Sequence, residues 1–230
     1  MVENCLLYYI TDRSAFAGDE RTRQIRLLDK IAEAASCGVD YIQLREKDLP
    51  ARELEMLARE AVRAVHQLTT GLQSATALLI NSRTDVALAV QADGVHLRSD
   101  DVSPEDVRAA WQRAGAPHEG SCGAGTPARE LSAKNPLIAV SCHAAQEVKQ
   151  AAANHAAFAV FAPVFEKKNA PASGLEALQE ACRTTIPVLA LGGVTMQNAE
   201  SCLRAGAAGV AGIRLFQDND VATVVRALRG

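Results

Sequence analysis

Short, almost unbroken apolar runs alternate along this chain with longer stretches in which apolar residues recur every three or four positions. The runs are Leu6–Thr11, Val39–Leu44, Ala77–Asn81, Gly94–Leu97, Leu137–Ser141, Phe158–Ala162, Val188–Leu191 and Gly209–Ile213. They are too short for helices and lack the alternation of a strand with one wet face. They therefore predict strands of a parallel sheet, buried on both faces. Between them, Leu54, Leu57, Ala58, Ala61, Val62 and Val65 fall on one helical stripe, which Pro50 can open. Ile25, Leu28, Ile31 and Ala35 mark the helix before it. Ser103-Pro104-Glu105-Asp106 reads as a helix start, and Ser173 followed by Glu176 as a capping box.

Four junctions, ending in Asp40, Asp93, Ala157 and Ala208, run from a helix end with small residues straight into the second, fourth, sixth and eighth strands. That spacing predicts a repeated βαβα unit. Such units build either an open doubly wound sheet or a closed barrel, and eight strands in 230 residues favour an α/β fold of the (β/α)8 TIM-barrel type. No linker divides the chain, so one domain over residues 1–230 is expected. The segment Ala114–Lys134, rich in Gly, Ser, Ala and Pro, reads as a surface excursion holding at most part of a helix.

Composition narrows the function. With 24 basic and 27 acidic residues intermixed, the formal charge is −3, which gives no general attraction to nucleic acid or to an anionic membrane. Any anion site must be local. The six cysteines show no paired spacing and predict neither a disulfide framework nor a zinc site. No run reaches membrane-spanning length and the first residues lack a leader pattern, so a cytoplasmic protein, free or as a homo-oligomer, is expected.

Barrel chemistry sits at the carboxyl ends of the strands. There the second strand supplies Gln43, Arg45 and Lys47, the last two on one side of an extended segment where both can face one anion; a solvated, salt-bridged loop is the alternative. Asn81 and Ser82 follow the third strand; His96, Arg98, Asp100 and Asp101 follow the start of the fourth. The paired aspartates suit Mg²⁺ beside a phosphate, or one of them caps the next helix. Ser141 and His143 end the fifth strand, and the histidine is a candidate acid or base. Gly192 and Gly193 after the seventh strand, with Gly212, Ile213 and Arg214 at the end of the eighth, form the pair of turns that holds a phosphate in such barrels.

The blocks Tyr9-Ile10-Thr11-Asp12, Gln43-Leu44-Arg45-Glu46-Lys47-Asp48, Ile80 to Ala89, Ala92-Asp93-Gly94-Val95-His96-Leu97, Val140-Ser141-Cys142-His143, Pro163-Val164-Phe165 and Leu191-Gly192-Gly193-Val194-Thr195 resemble, in order, those of the thiamine-phosphate synthase and thiazole tautomerase superfamily. The resemblance implies a transferase of thiamine biosynthesis. An aminopyrimidine methyl diphosphate would lose pyrophosphate and be captured by the nitrogen of a thiazole phosphate. It further implies that Gln43, Arg45, Lys47 and Asn81 bind the diphosphate, that Asp101 with Asp100 ligates Mg²⁺, and that His96 and Ser141 lie by the pyrimidine. Gly192, Gly193, Ile213 and Arg214 would receive the thiazole phosphate, and Arg45, Lys47, Ser141 and His143 would carry the catalysis.

Three departures stand out against the family pattern. Ser82 replaces an aspartate that ligates the metal. Glu166-Lys167-Lys168-Asn169 replaces a hydroxyl-rich loop ending in lysine, so that Lys167 or Lys168 would take that lysine's place. Arg214 replaces a serine. The departures keep open a tautomerase, in which His143 would move a proton on a thiazole carboxylate. A barrel that binds phosphorylated ligands without turnover is open as well. Retention of His96, Asp101 and the whole Gln43–Asp48 block favours the synthase.

Overall fold

The computed structural model describes residues 5–69, 76–115, 135–166 and 171–230. Its strands are β1 (Leu6–Ile10), β2 (Tyr41–Leu44), β3 (Ala77–Asn81), β4 (Gly94–Leu97), β5 (Leu137–Cys142), β6 (Phe158–Phe161), β7 (Val188–Ala190) and β8 (Gly209–Gly212). All pair in parallel, each with its neighbours in sequence, and β8 closes on β1 through Leu6↔Gly209 to Tyr9↔Gly212. The result is the expected (β/α)8 barrel. Four of the eight strands, β1, β6, β7 and β8, stop one residue short of the apolar runs, because Thr11, Ala162, Leu191 and Ile213 already turn into the loops of the active face.

Alternation hidden in the sequence becomes visible once the barrel closes. Tyr8, Ile10, Leu79, Ala139, Phe158, Val160, Leu189 and Ala211 point inward and fill the barrel. Leu7, Tyr9, Ile42, Leu44, Leu78, Ile80, Val95, Ile138 and Val210 point outward into the layer shared with the helices. Both faces are apolar, so the strands carry no polar face.

The helices cover that outer face: α1 (Glu20–Ser36), α2 (Ala51–Thr69), α3 (Thr84–Val90), α4 (Pro104–Gly115), α5 (Ala145–Ala153), α6 (Gly174–Ala181), α7 (Ala199–Arg204), the short α8 (Arg214–Gln217) and α9 (Val221–Arg229). The α2 stripe is buried as expected. On α1 the buried stripe is Leu27, Ile31, Ala34 and Ala35, while Ile25 is 51% exposed. The expected face is thus rotated. Ile25 and Leu27 lie about 200° apart on a helix, and the longer Leu27–Ile31–Ala34 row wins the barrel. Ser103 caps α4 as expected, accepting from Asp106 N at 3.1 Å. Ser173 makes no capping hydrogen bond at α6, since its backbone is already helical. This overturns the expected capping box. The Ala114–Lys134 segment begins inside α4, and its residues 116–134 lie outside the described ones.

The repeat has a physical basis at the amino ends of the strands. Asp40, just before β2, accepts from Leu7 N at 2.7 Å, and Asp93, just before β4, accepts from Leu78 N at 2.8 Å. Arg229 pairs with the first carboxylate and His66 with the second. Gly94 and Gly209 open β4 and β8 where a Cβ would fall 1.8 Å from Leu137 O and 2.0 Å from Leu6 O. Only glycine admits so close a neighbour. The five described cysteines are free, and burial pushes the Cys142 thiol up to about 12, which makes it a core side chain rather than a nucleophile. No described helix is long and apolar enough to cross a membrane.

Candidate active site

The strand ends surround a cavity of about 990 Å³ at the carboxyl face. Gln43, Arg45, Lys47, Asn81, His96, Asp100, Ser141, His143, Gly192, Gly193, Ile213 and Arg214 all line it, so nearly every site residue expected from the sequence converges on one opening. Lys167 and Lys168 lie outside the described residues. Asp101 does not line the cavity and sits just behind it.

The loop Arg45–Asp48 is built by alternation. Arg45 and Lys47 face the cavity, while Glu46 and Asp48 turn back onto Arg13. Arg13 is almost fully buried. Its Nη1 reaches Glu46 Oε2 at 3.1 Å and Asp48 Oδ1 at 2.7 Å, and its Nε reaches Glu20 at 2.6 Å. Thr11 donates to Glu46 Oε1 at 2.6 Å and accepts from Arg45 N at 2.9 Å. The acidic partners, Asp48 foremost, hold the Arg13 guanidinium firmly charged. With these carboxylates occupied, neither Arg45 nor Lys47 has an ion-pair partner among the described residues. Arg45 is the main reason the Lys47 ammonium is held below the usual lysine range, and burial and Arg98 act in the same direction. Like charges crowded at a cavity wall call for an anion.

A run of amides and hydroxyls continues around the rim. Gln43 Nε2 donates to Asn81 Oδ1 at 2.8 Å, Asn81 Nδ2 lies 3.3 Å from Ser82 Oγ, and Ser82 donates to Asp101 Oδ2 at 2.6 Å. Ser82 holds a left-handed φ of 58°, a conformation that Asn and Asp tolerate better. An aspartate here would set its carboxylate against Asp101 unless a cation lay between. The hydroxyl needs none. Asp101 Oδ2 also accepts from Arg98 N at 2.8 Å, and its Oδ1 lies 3.5 Å from Arg98 Nε. Asp101 is therefore a loop-tying residue rather than a cap for α4. No group of three His, Cys, Asp or Glu side chains among the described residues forms a metal cage. Asp101 Oδ1 and the exposed Asp100 still offer carboxylate oxygens, and Mg²⁺ is commonly held by one or two carboxylates plus substrate phosphates. The residues fit an ion that enters with a diphosphate.

At the barrel axis His96 is 3% exposed. Tyr8 Oη lies 3.0 Å from its Nδ1 and Ser141 Oγ 2.7 Å from its Nε2, and Tyr8 packs edge-on against Phe158 and Tyr41. Burial, and then Arg45, pull the imidazole down to about 3. It is neutral at physiological pH, donating through one nitrogen and accepting through the other. Because the folded value lies below that of the free side chain, His96 costs stability only when acid favours its charged form. The loss begins below about pH 6.5 and grows at roughly 1.4 kcal/mol per pH unit until about pH 3. His96→Gln is therefore expected to flatten the fall in urea midpoint between pH 7 and pH 5. A slope unchanged from wild type would show that the ring is not held neutral.

His143 Nδ1 lies 2.7 Å from Ala162 O, and since a carbonyl only accepts, Nδ1 carries a proton and donates it, leaving Nε2 on the other side of the ring. Opposite β3, the turn after β7 needs its glycines. Gly192 (φ 99°) and Gly193 (φ 67°) lie where a Cβ would come within 2.8 Å of Pro163 and Phe165. Asn198 braces this turn, accepting from Thr195 N at 2.8 Å and donating to Gly193 O at 2.9 Å. The sequence did not single out Tyr8, Arg13 or Glu46. Only the alternation of charge in Arg45-Glu46-Lys47-Asp48 hinted that half of that block faces away from the ligand.

Comparison with known proteins agrees with the barrel fold and points to one family. The family model for thiamine monophosphate synthase matches residues 7–115 and 124–216. A thiamine-phosphate synthase of Methanoculleus marisnigri is 33% identical over 97% of this chain and 93% of its own length, and that of a Roseiflexus species is 34% identical over 90% and 75%. Among solved structures, a thiamine phosphate pyrophosphorylase from Pyrococcus furiosus superposes with a TM-score of 0.74 at 27% identity, covering 99% of this chain and 95% of that one. The family-model match over most of the barrel, together with relatives 33–34% identical over most of their own length, places the chain in the thiamine monophosphate synthase family.

Proposed function

We propose that this cavity joins an aminopyrimidine methyl diphosphate to a thiazole phosphate, releasing pyrophosphate and forming thiamine phosphate. The observation that carries the assignment of residues is the division of one cavity into two anion corners. Arg45 and Lys47 stand at β2, and Gly192, Gly193, Ile213 and Arg214 stand on the other side of β1, at β7 and β8. Two phosphorylated substrates can thus meet in the cavity, where Ser141, held by the buried His96, presents its hydroxyl to the pyrimidine and His143 Nε2 adds a second polar atom.

The bond between the methylene carbon and the diphosphate oxygen breaks, and the thiazole nitrogen lone pair forms the new carbon–nitrogen bond. The pyrophosphate carries away the electron pair. No proton moves at the attacking nitrogen, so the chain's contribution is positioning and charge. Arg45 and Lys47 meet the oxygens on which negative charge grows, and Gln43 and Asn81 hold the corner by their mutual hydrogen bond. Asp100 and Asp101 would hold Mg²⁺ brought in with the diphosphate, an ion that supplies further neutralising charge to the leaving group. Lys167 or Lys168 would contribute a further positive charge to phosphate binding. We assign the activity to one barrel domain, acting in the cytoplasm on small phosphorylated substrates.

The test follows pyrophosphate release by the purified protein from the aminopyrimidine methyl diphosphate, with and without thiazole phosphate and Mg²⁺. Release that needs both substrates and yields thiamine phosphate is expected. Release at the same rate without thiazole phosphate would mean hydrolysis, and the glycine corner would lose its assigned ligand.

A further inference from the structure

One cation at the cavity wall has no place in the scheme so far. Arg98 follows β4, lines the same cavity as Arg45 and Lys47, and is half exposed, with 51% of its side chain accessible. Its positive charge depresses Lys47, which places the three cations within electrostatic reach of one another. Its guanidinium is not turned to them. Nη2 lies 3.0 Å from Asp100 Oδ2, and Nε lies 3.5 Å from Asp101 Oδ1. These are the two carboxylates that suit a divalent cation, and one guanidinium occupies both. Arginine and the metal therefore compete for the same oxygens. Exposed ion pairs of this kind are weak, whereas a guanidinium on a phosphate makes paired, charge-assisted hydrogen bonds.

We propose that Arg98 is a third diphosphate-binding residue, parked on Asp100 and Asp101 and delivered to the diphosphate when a divalent cation takes those carboxylates. Metal and arginine then act in sequence on one ligand, and the neutral Ser82 is part of the device. Its hydroxyl satisfies Asp101 Oδ2 and leaves Oδ1 to the exchange. This inference rests on the diphosphate corner proposed above.

Titration of the whole protein with inorganic pyrophosphate by calorimetry tests it, in Mg²⁺ and in chelator, for wild type, Arg98→Ala, Arg98→Lys and Arg45→Ala. In Mg²⁺, Arg98→Ala is expected to weaken binding about tenfold, and Arg98→Lys to recover part of the loss. In chelator, where the carboxylates keep the guanidinium, the Arg98→Ala change is expected to stay within about threefold. An equal loss in both conditions would overturn the parking, and no loss in either would leave Arg98 as a loop ion pair. Failure of the corner itself reads differently. In that case Arg45→Ala, too, would bind pyrophosphate as wild type does, or wild type would not bind it at all.

Discussion

Arg45→Ala is expected to lower kcat about a hundredfold to a thousandfold, the loss of about 2.7–4 kcal/mol that follows removal of one preorganised donor from a developing oxyanion. The reasoning starts from what Arg45 lacks. Glu46 and Asp48 are engaged by Arg13 and Asp100 and Asp101 by Arg98, so Arg45 faces the cavity without an ion-pair partner among the described residues. A charge held in that way contributes little to folding and much to an incoming anion. The melting temperature is accordingly expected to stay within a few degrees of wild type, while steady-state kinetics with the diphosphate substrate collapse. Arg45 is also the main cause of the depressed Lys47, so its removal returns the ammonium toward ordinary behaviour without replacing the lost contacts. Arg45→Lys should recover only part of the rate, because an ammonium cannot offer two parallel donors. Wild-type kcat in Arg45→Ala would remove the diphosphate from this corner.

The second large effect is on the fold that aims this residue. Glu46→Ala is expected to cost about 3–5 kcal/mol, the usual penalty for stripping one partner from a buried ion pair. In a chain of this size that corresponds to a fall of roughly 10 °C in melting temperature. The Glu46 side chain is 2% exposed and gathers three donors: the Thr11 hydroxyl, Arg13 N and Arg13 Nη1. Removing it leaves the Thr11 hydroxyl without its acceptor, and Thr11 is what receives Arg45 N. Loss of stability should therefore come with a raised KM for the diphosphate substrate. Glu46→Gln keeps the shape and an acceptor for Thr11 and should lose less of both. Thermal unfolding and kinetics on the same preparations separate the cases. A Glu46→Ala variant as stable as wild type would mean that Asp48 and Glu20 suffice to hold Arg13.

Much of the site was legible because barrel geometry converts sequence position into spatial position. Once the eight apolar runs are taken as strands, the residues at or just past the carboxyl end of each run must surround one opening, and Gln43, Asn81, His96, Ser141, Gly193 and Ile213 do so. The direction of individual side chains was less legible. Asp101 and Asp100 look equivalent in the sequence, yet one ties Ser82 and the Arg98 backbone behind the wall and the other lines the cavity. Ser173 and Glu176 have capping-box spacing, but the helical backbone at Ser173 leaves its side chain no cap to make. The buried stripe of α1 departs from the expected one for a related reason. Two apolar faces lie on that helix, and only contact with the barrel decides which of them is buried.

Local pattern by itself determined the order of strands and helices, their parallel closure and the set of residues at the carboxyl face. Those properties follow from backbone periodicity and from burial on both faces of each strand. Tertiary structure alone decided which charges are free. In sequence, Arg13, Arg45, Lys47 and Arg98 are four similar cations among a comparable number of acids. In the folded chain, Arg13 is consumed by Glu46, Asp48 and Glu20, Arg98 is shared between two aspartates, and Arg45 and Lys47 are left facing the cavity without an ion-pair partner among the described residues. The reason is that ion pairing depends on distances across strands and loops remote in sequence, and on burial, which strengthens some pairs and leaves others to water.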